Sequence, residues 1–217
     1  MDNNGMHESK FWKVINLAGN AIALNLMFLV SCIPIITIGP AMSGLFSGVR
    51  YMIRGDGWFA GFKTGFRNHF LRTSIASIVS IAMMVYLMWY FNIGLNFYFD
   101  GGSVTHMITY GVAMLFPSMI AAALWPLNVY IPYSTTDWLR NAVNLICKAP
   151  LQVLVSAAGM WLPVFVTLYW PELAFLGFLI IIAIYFSLIA FASTMLLKES
   201  LIKLLLQYRT DHPDEEC

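Results

Sequence analysis

The sequence predicts an all-α protein: a polytopic bundle of transmembrane helices with five long spans and a short returning or re-entrant helix after the first. Five stretches of the chain contain no Asp, Glu, Lys or Arg, and together they fill about two thirds of its 217 residues. The shortest has 23 residues, whereas about 20 apolar residues in a helix cross the hydrocarbon core of a bilayer. Charged residues make up 11 % of the chain, against about 25 % in a soluble protein. We therefore expect a single integral membrane domain over residues 1–217, with the lipid bilayer as its surroundings.

The first uncharged stretch is interrupted by the sequence Pro-Ile-Ile-Thr-Ile-Gly-Pro. Proline lacks an N–H and is favoured in the first turn of a helix, so we predict a span over residues 12–33 and a shorter helix over 40–54, with Thr37 as its side-chain cap. Fifteen residues rise about 22 Å, which is short for a span unless Arg50 and Arg54 extend to the membrane surface. The side of the N-terminus, and the choice between five and six passes, stay open.

Two glycines four residues apart, Gly44 and Gly48, lie in this short helix. Small residues at this spacing allow helix backbones to approach closely in lipid. We favour tight packing inside the monomer, and homo-oligomerisation through the same two glycines is the alternative.

The next segment, residues 57–70, is predicted to be a helix lying in the membrane interface. Its phenylalanines recur at helical spacing with basic residues beside them, which is typical of interfacial helices. Its glycines are predicted to lie on the opposite side and to allow close contact with a helix of this chain or of a partner. The candidate partner-docking residues are Phe59, Gly61, Phe62, Lys63, Gly65, Phe66 and Arg67.

The remaining uncharged stretches predict four further spans and a second interfacial helix. The spans are placed at residues 73–99, 106–132, 150–170 and 173–197, the interfacial helix at 138–147, and a polar tail at 198–217. Basic residues fix the orientation, because ten of the twelve lie in the first and third connections and the tail, while the second and fourth connections hold only Asp100 and Glu172. The positive-inside rule then predicts a multi-pass protein of the bacterial cytoplasmic membrane with a cytoplasmic C-terminus.

Asparagines are the polar groups at depth in the predicted spans, which contain no ionisable residue in their interior. The absence of a deep carboxylate argues against a transporter that couples transport to protons or sodium through such a group. The amides either join helices by hydrogen bonds or line a polar path for a solute. The candidate path residues are Asn16, Asn20, Asn92, Asn96 and Asn128.

Enzyme signatures are missing from the sequence. It contains no H-E-x-x-H, G-x-S-x-G, phosphate-binding G-x-x-x-x-G-K-[ST] or C-x-x-C motif, and its four histidines have no metal-ligand spacing. We therefore expect a protein that is not an enzyme and has no cofactor, no metal and no nucleic-acid partner.

Three segments read in order, residues 34–41, 50–55 and 58–70, resemble the YesL family of bacterial membrane proteins, a domain of unknown function. The resemblance is densest over residues 16–72, where a P-x-x-T-x-G-P-A sequence precedes the aromatic and basic segment. It carries over no catalytic or binding residue. Members of that family are often encoded beside carbohydrate ABC importers and glycan-degrading enzymes, which implies a role near sugar uptake.

Three functions follow as hypotheses. The first is a non-enzymatic accessory subunit that docks on the permease of a carbohydrate ABC importer, or on a sensor kinase, through the two interfacial helices. The second is a self-contained facilitator or exporter of a small solute along the asparagine path. The third is an assembly factor for another membrane complex, which would use the same docking surface as the first.

Overall fold

The computed structural model describes residues 3–68, 70–99, 104–130, 135–169 and 184–211. Within these ranges the regular structure is helical and contains no strand, which confirms the all-α prediction. The helices are α1 (Asn3–Ser31), α2 (Ile38–Arg54), α3 (Trp58–Arg67), α4 (Phe70–Phe99), α5 (Val104–Tyr130), α6 (Thr135–Lys148), α7 (Pro150–Tyr169) and α8 (Phe186–Asp211), with a 3-10 turn at Ile35–Thr37 between the first two.

One helix in the described ranges, α1, is long and apolar enough to cross a membrane. Its segment Val14–Ser31 has a mean hydropathy of 1.7. Helix α6 and the first half of α7 meet the same criterion only if they are taken together, and they are bent by 108° at the break between them. The five-span topology therefore stays a prediction, and residues 173–183 of its last span lie outside the described ranges.

Helix α2 is the central element of the bundle. It contacts α1, α3, α4, α5 and α8, and all but one of its residues from Gly39 to Val49 are buried. Small side chains alternate with large ones along it, so that neighbouring backbones come close on one side while Leu45 and Phe46 fill the core on the other. The short helix is thus held mainly by protein contacts.

The break between α1 and α2 differs in detail from the sequence prediction. Helix α2 begins at Ile38, so that Pro40 is its third residue, still among the first four positions whose N–H groups have no partner within the helix. Thr37 adopts helical rather than extended backbone angles, and its side chain does not cap α2. Its hydroxyl instead donates to the carbonyl oxygens of Ser31 at 2.6 Å and Pro34 at 2.7 Å. These contacts stabilise the turn that follows the last residue of α1.

Helices α2 and α3 form an antiparallel hairpin. Gly55, in the left-handed conformation with φ of 87°, ends α2. A Cβ added to Gly44 would lie 2.9 Å from the Phe62 ring, and one added to Gly48 would lie 2.6 Å from a methyl group of Leu24. Both glycines are buried by contacts inside the chain, which is the tight packing within the monomer that the sequence favours. Oligomerisation through the same glycines stays the alternative.

Candidate functional site

The candidate docking residues on α3 divide between two faces. Phe62 is 2 % exposed and packs against α2 together with Gly61 and Gly65. The prediction that the aromatic and glycine faces lie on opposite sides is therefore wrong for Phe62. The glycines leave room beside α2, and the Phe62 ring fills the neighbouring space over Gly44.

The other side of α3 remains accessible. Phe59 is 53 % exposed, and Lys63 and Arg67 are exposed one and two turns further along. We call these three residues the α3 outer face. Phe66 lies half-buried at the boundary, with its ring stacked on Phe62 at 5.9 Å between centroids.

Helix α6, the second predicted interfacial helix, is amphipathic. Trp138 and Leu145 are buried, whereas Leu139, Arg140 and Val143 are exposed. Because α6 is bent by 108° from the start of α7, the two helices run nearly perpendicular to each other. If α7 crosses a membrane, this bend lays α6 along the membrane surface.

The candidate path asparagines are not gathered around one space. Asn16 and Asn20 are exposed on α1, and Asn128 lies half-buried near the end of α5. Within the described ranges, no hydrogen bond joins either α1 amide to Asn128. Asn92 and Asn96 belong to α4, and their side chains lie outside the described part of the structure.

Asn128 instead belongs to a group of polar and aromatic residues at the C-terminal end of α5, which we call the α5-end cluster. Its Nδ2 donates to Ser43 Oγ on α2 at 2.8 Å. Its Oδ1 accepts a hydrogen bond from Nη2 of Arg72 on α4. One amide therefore joins three helices. The cluster consists of Ser43, Arg50, Arg72, Asn128, Tyr130 and Trp138.

Arg50 completes the cluster from α2. Its Nη1 donates to the carbonyl oxygen of Val129. This is one of the last four carbonyls of α5, which accept no hydrogen bond from an N–H of the same helix. Its guanidinium lies 4.6 Å from the ring centroid of Tyr130. A positive charge is favourable both at a helix C-terminus and over an aromatic face. Arg50 is thus half-buried in the bundle, whereas Arg54 is exposed. That either side chain extends to the membrane surface stays a prediction.

Trp138 connects the cluster to α6. Its indole Nε1 donates to the carbonyl oxygen of Leu124 at 3.0 Å, and the guanidinium of Arg72 lies 4.7 Å from its ring centroid. Sequence reasoning missed this arrangement. The available signal was the position of Asn128 between Pro126 and Pro132, together with arginines at the end of α2 and the beginning of α4.

The hydrogen bonds of the α5-end cluster connect helices and indicate a structural role. Arginine stays protonated and is neither a nucleophile nor a base near neutral pH. In the residues that the structure describes, no group of three or more His, Cys, Asp or Glu side chains could hold a metal ion. We assign these residues to the positioning of α2, α4, α5 and α6.

A second buried amide, Asn25, joins the other end of the chain to α1. It is fully buried, and its Oδ1 accepts a hydrogen bond from the backbone N–H of Ser187, the second residue of α8, at 3.1 Å.

We expect Asn25→Leu to lower the free energy of unfolding by about 1–2 kcal/mol, because this buried N–H loses its acceptor. Denaturant unfolding in detergent measures the loss. Asn20→Leu, an exposed change in the same helix, is the control, and equal losses for the two variants would contradict the assignment.

These features define a class: an all-helical protein with a helix suited to crossing a membrane and polar clusters that join its helices. Residues 21–93 match the model of a family described as a protein of unknown function, DUF624. The match covers about a third of the chain and runs from α1 into α4, so it includes the whole α2–α3 hairpin. Neither the search of curated proteins nor that of solved structures returned a match.

Proposed function

We propose that this chain is a non-enzymatic, multi-pass membrane protein that acts as an accessory subunit of a carbohydrate ABC importer or of its sensor kinase. The observation that carries the proposal is the α3 outer face. The glycine side of α3 is fully used against α2, while Phe59, Lys63 and Arg67 remain exposed. An exposed aromatic residue followed by two basic side chains, on a helix packed closely against α2, suits docking on another protein at the membrane surface.

The proposed topology has five spans and a cytoplasmic C-terminus. Arg50 at the end of α2 and Arg72 at the beginning of α4 both meet the C-terminal end of α5. These three helix ends therefore lie at one level of the bundle. Their shared basic character supports placing that level at the cytoplasmic side.

The carbohydrate part of the proposal depends on the resemblance to the YesL family, with which the match to DUF624 is compatible. Its support is the gene neighbourhood of that family and not a sugar-binding geometry. A self-contained facilitator has less support, because Asn16 and Asn20 lie on the outside of α1 and Asn128 is engaged in the α5-end cluster.

The test is a pull-down of the tagged protein from its native membrane in mild detergent, with partners identified by mass spectrometry. We expect importer permease or sensor-kinase subunits to be recovered with the protein. The double variant Lys63→Glu with Arg67→Glu should reduce that recovery about tenfold, since a basic docking face becomes acidic. The matched control is Lys198→Glu with Lys203→Glu, the same charge change at exposed positions of α8, and it should recover partners as the wild type does.

Three outcomes would contradict the proposal. Recovery of the protein alone would remove the accessory role. Recovery of an unrelated membrane complex would replace it by an assembly role. Equal losses in the two double variants would show that overall charge matters and that the α3 outer face is not the docking site.

A further inference from the structure

The turn between α1 and α2 exposes an apolar tip. Residues 33–36 read Ile-Pro-Ile-Ile and are all exposed, with Ile33 at 78 % and Ile35 at 66 % of their full accessibility. The surrounding stretch, residues 14–49, contains no Asp, Glu, Lys or Arg. We call residues 33–36 the hairpin tip. A turn in water ordinarily carries polar or small residues, whereas three of the four side chains here are isoleucines.

The backbone of this turn supplies hydrogen-bond partners for itself. The N–H groups of Cys32 and Ile33 donate to carbonyl oxygens in the last turn of α1, and the N–H of Thr37 donates to that of Pro34. The Thr37 hydroxyl donates to the carbonyl oxygens of Ser31 and Pro34. A break between helices is tolerated in hydrocarbon where 3-10 turns and Ser or Thr side chains satisfy the freed backbone groups. The turn has both of these features.

Helix α4 contacts the 3-10 turn and runs past the hairpin tip. Arg72 is joined through one amide to Ser43 on α2, whereas Thr73 and Ser77 lie against Gly39, which is nearer the tip. Helix α4 therefore runs antiparallel to α2, and beyond Ser77 it rises a further 33 Å or so, about the thickness of a hydrocarbon core. The exposed side chains over residues 75–83 of α4 are all apolar: Ile75, Ile78, Val79, Ala82 and Met83.

The part of α1 that packs beside α2 is too short to cross a membrane. Gly48, two residues before Arg50, packs against Leu24. From Leu24 to Ser31, the last residue of α1, the helix rises about 12 Å, whereas a crossing helix needs about 20 residues, or 30 Å. Residues 14–20 are exposed on every side and lie on the far side of the Arg50 level from the hairpin tip.

We propose that α1 and α2 form a re-entrant hairpin, whose tip inserts among the lipid acyl chains of the cytoplasmic leaflet and returns without crossing the bilayer. From Arg50 to Ile38, α2 rises about 18 Å, so the tip ends inside a hydrocarbon core of about 30 Å. Both ends of the hairpin then lie on one side, which makes the N-terminus cytoplasmic. The inference rests on the proposed membrane topology and replaces its first span by the hairpin. The later spans and the accessory role are unchanged.

Cysteine accessibility tests the depth of the hairpin tip. The native cysteines, Cys32, Cys147 and Cys217, are replaced by alanine, and Ile35→Cys is introduced into the full chain. In right-side-out and inside-out membrane vesicles, a membrane-impermeant maleimide should label position 35 from neither side, and only after detergent is added. The matched control is Asp56→Cys, in the exposed turn at the other end of α2, which should be labelled from the cytoplasmic side without detergent.

Two labelling results would overturn the re-entrant hairpin. Labelling of position 35 from the side opposite to position 56 would mean that α1 and α2 each cross the membrane. Labelling from the same side as position 56 would place the tip in water. Neither result bears on the accessory role, which the pull-down tests through Lys63 and Arg67. Conversely, recovery of the protein alone in the pull-down would leave the expectation for position 35 unchanged.

Fluorescence quenching identifies what covers the hairpin tip. The purified Ile35→Cys protein is labelled with a small fluorophore and reconstituted into vesicles of phospholipid alone. Its emission should be quenched by lipids brominated on their acyl chains and not by aqueous iodide, and Asp56→Cys should respond in the opposite way. Protection of position 35 from both quenchers would show that protein covers the tip, and would refute insertion into lipid. Ile36→Cys, also exposed, repeats both measurements if Ile35→Cys does not fold.

Discussion

Replacing Gly39 with alanine should destabilise the folded protein by about 2 kcal/mol. A Cβ at this position of α2 would lie 2.0 Å from the carbonyl oxygen of Thr73 and 2.9 Å from Ser77 Cβ. The nearest atom belongs to the backbone of α4, so no side-chain rotation relieves the clash and the two helices must separate. Overpacking of this kind costs about 1–3 kcal/mol, and we take the upper end. The better helix propensity of alanine offsets about 1 kcal/mol of that cost.

The measurement is unfolding by a titrated denaturing detergent, followed by tryptophan fluorescence. Gly19→Ala is the matched control, because Gly19 is also inside a helix but has open space around it. At protein concentrations where the chain is monomeric, that variant should be as stable as the wild type or about 1 kcal/mol more stable. If Gly39→Ala were equally harmless, the close approach of α2 and α4 would be wrong.

The glycines of α3 are packed against α2 almost as closely as Gly39 is packed against α4. A Cβ on Gly65 would lie 2.5 Å from the carbonyl oxygen of Ser43, and one on Gly61 would lie 2.7 Å from the Tyr51 ring. Bulky residues there would separate α3 from α2 before they affected any partner. Loss of association in such variants would therefore not identify a docking surface, which is why the charge changes at Lys63 and Arg67 are the sharper test.

Much of the helical framework could be predicted from the sequence, and the identity of the packed faces could not. Charge-free stretches and the two prolines around Thr37 were sufficient to predict separate helices on either side of a break. The direction of Phe62 was not predictable in this way. For the interfacial helix that the sequence predicts here, a side that packs on protein and a side that faces lipid are both apolar, so periodicity does not distinguish them.

Asparagines illustrate the same difficulty at the level of the candidate site. Asn20 and Asn25 lie in one helix five residues apart, yet the first is exposed and the second is fully buried. Nothing in the local sequence separates them, because the difference depends on where α8 and the rest of the bundle contact α1. Arg50 is a similar case, because its acceptor, the carbonyl oxygen of Val129, lies 79 residues away in the sequence and has no local signal.

Replacing Asn128 with leucine should lower the free energy of unfolding by about 2–3 kcal/mol. The variant removes the Oδ1 acceptor of the half-buried Arg72 guanidinium and the donor to Ser43 Oγ. A hydrogen bond to a charged group contributes about 1.5–3 kcal/mol, and a charged group left without its acceptor loses more than the bond itself. The control is Asn144→Leu, an exposed asparagine on α6, for which a change within about 0.5 kcal/mol is expected.

A double-mutant cycle separates the Asn128–Arg72 bond from the size and shape of the leucine. Once Arg72→Met has removed the guanidinium, Asn128→Leu no longer breaks a hydrogen bond to a positive charge. It should then cost about 1–2 kcal/mol less than it does in the wild-type background. The remaining cost belongs to the lost contact with Ser43 and to packing between α2 and α5. Strictly additive losses would mean that Arg72 finds other partners when Asn128 is replaced. The α5-end cluster would then be held by the aromatic rings of Tyr130 and Trp138 rather than by the amide.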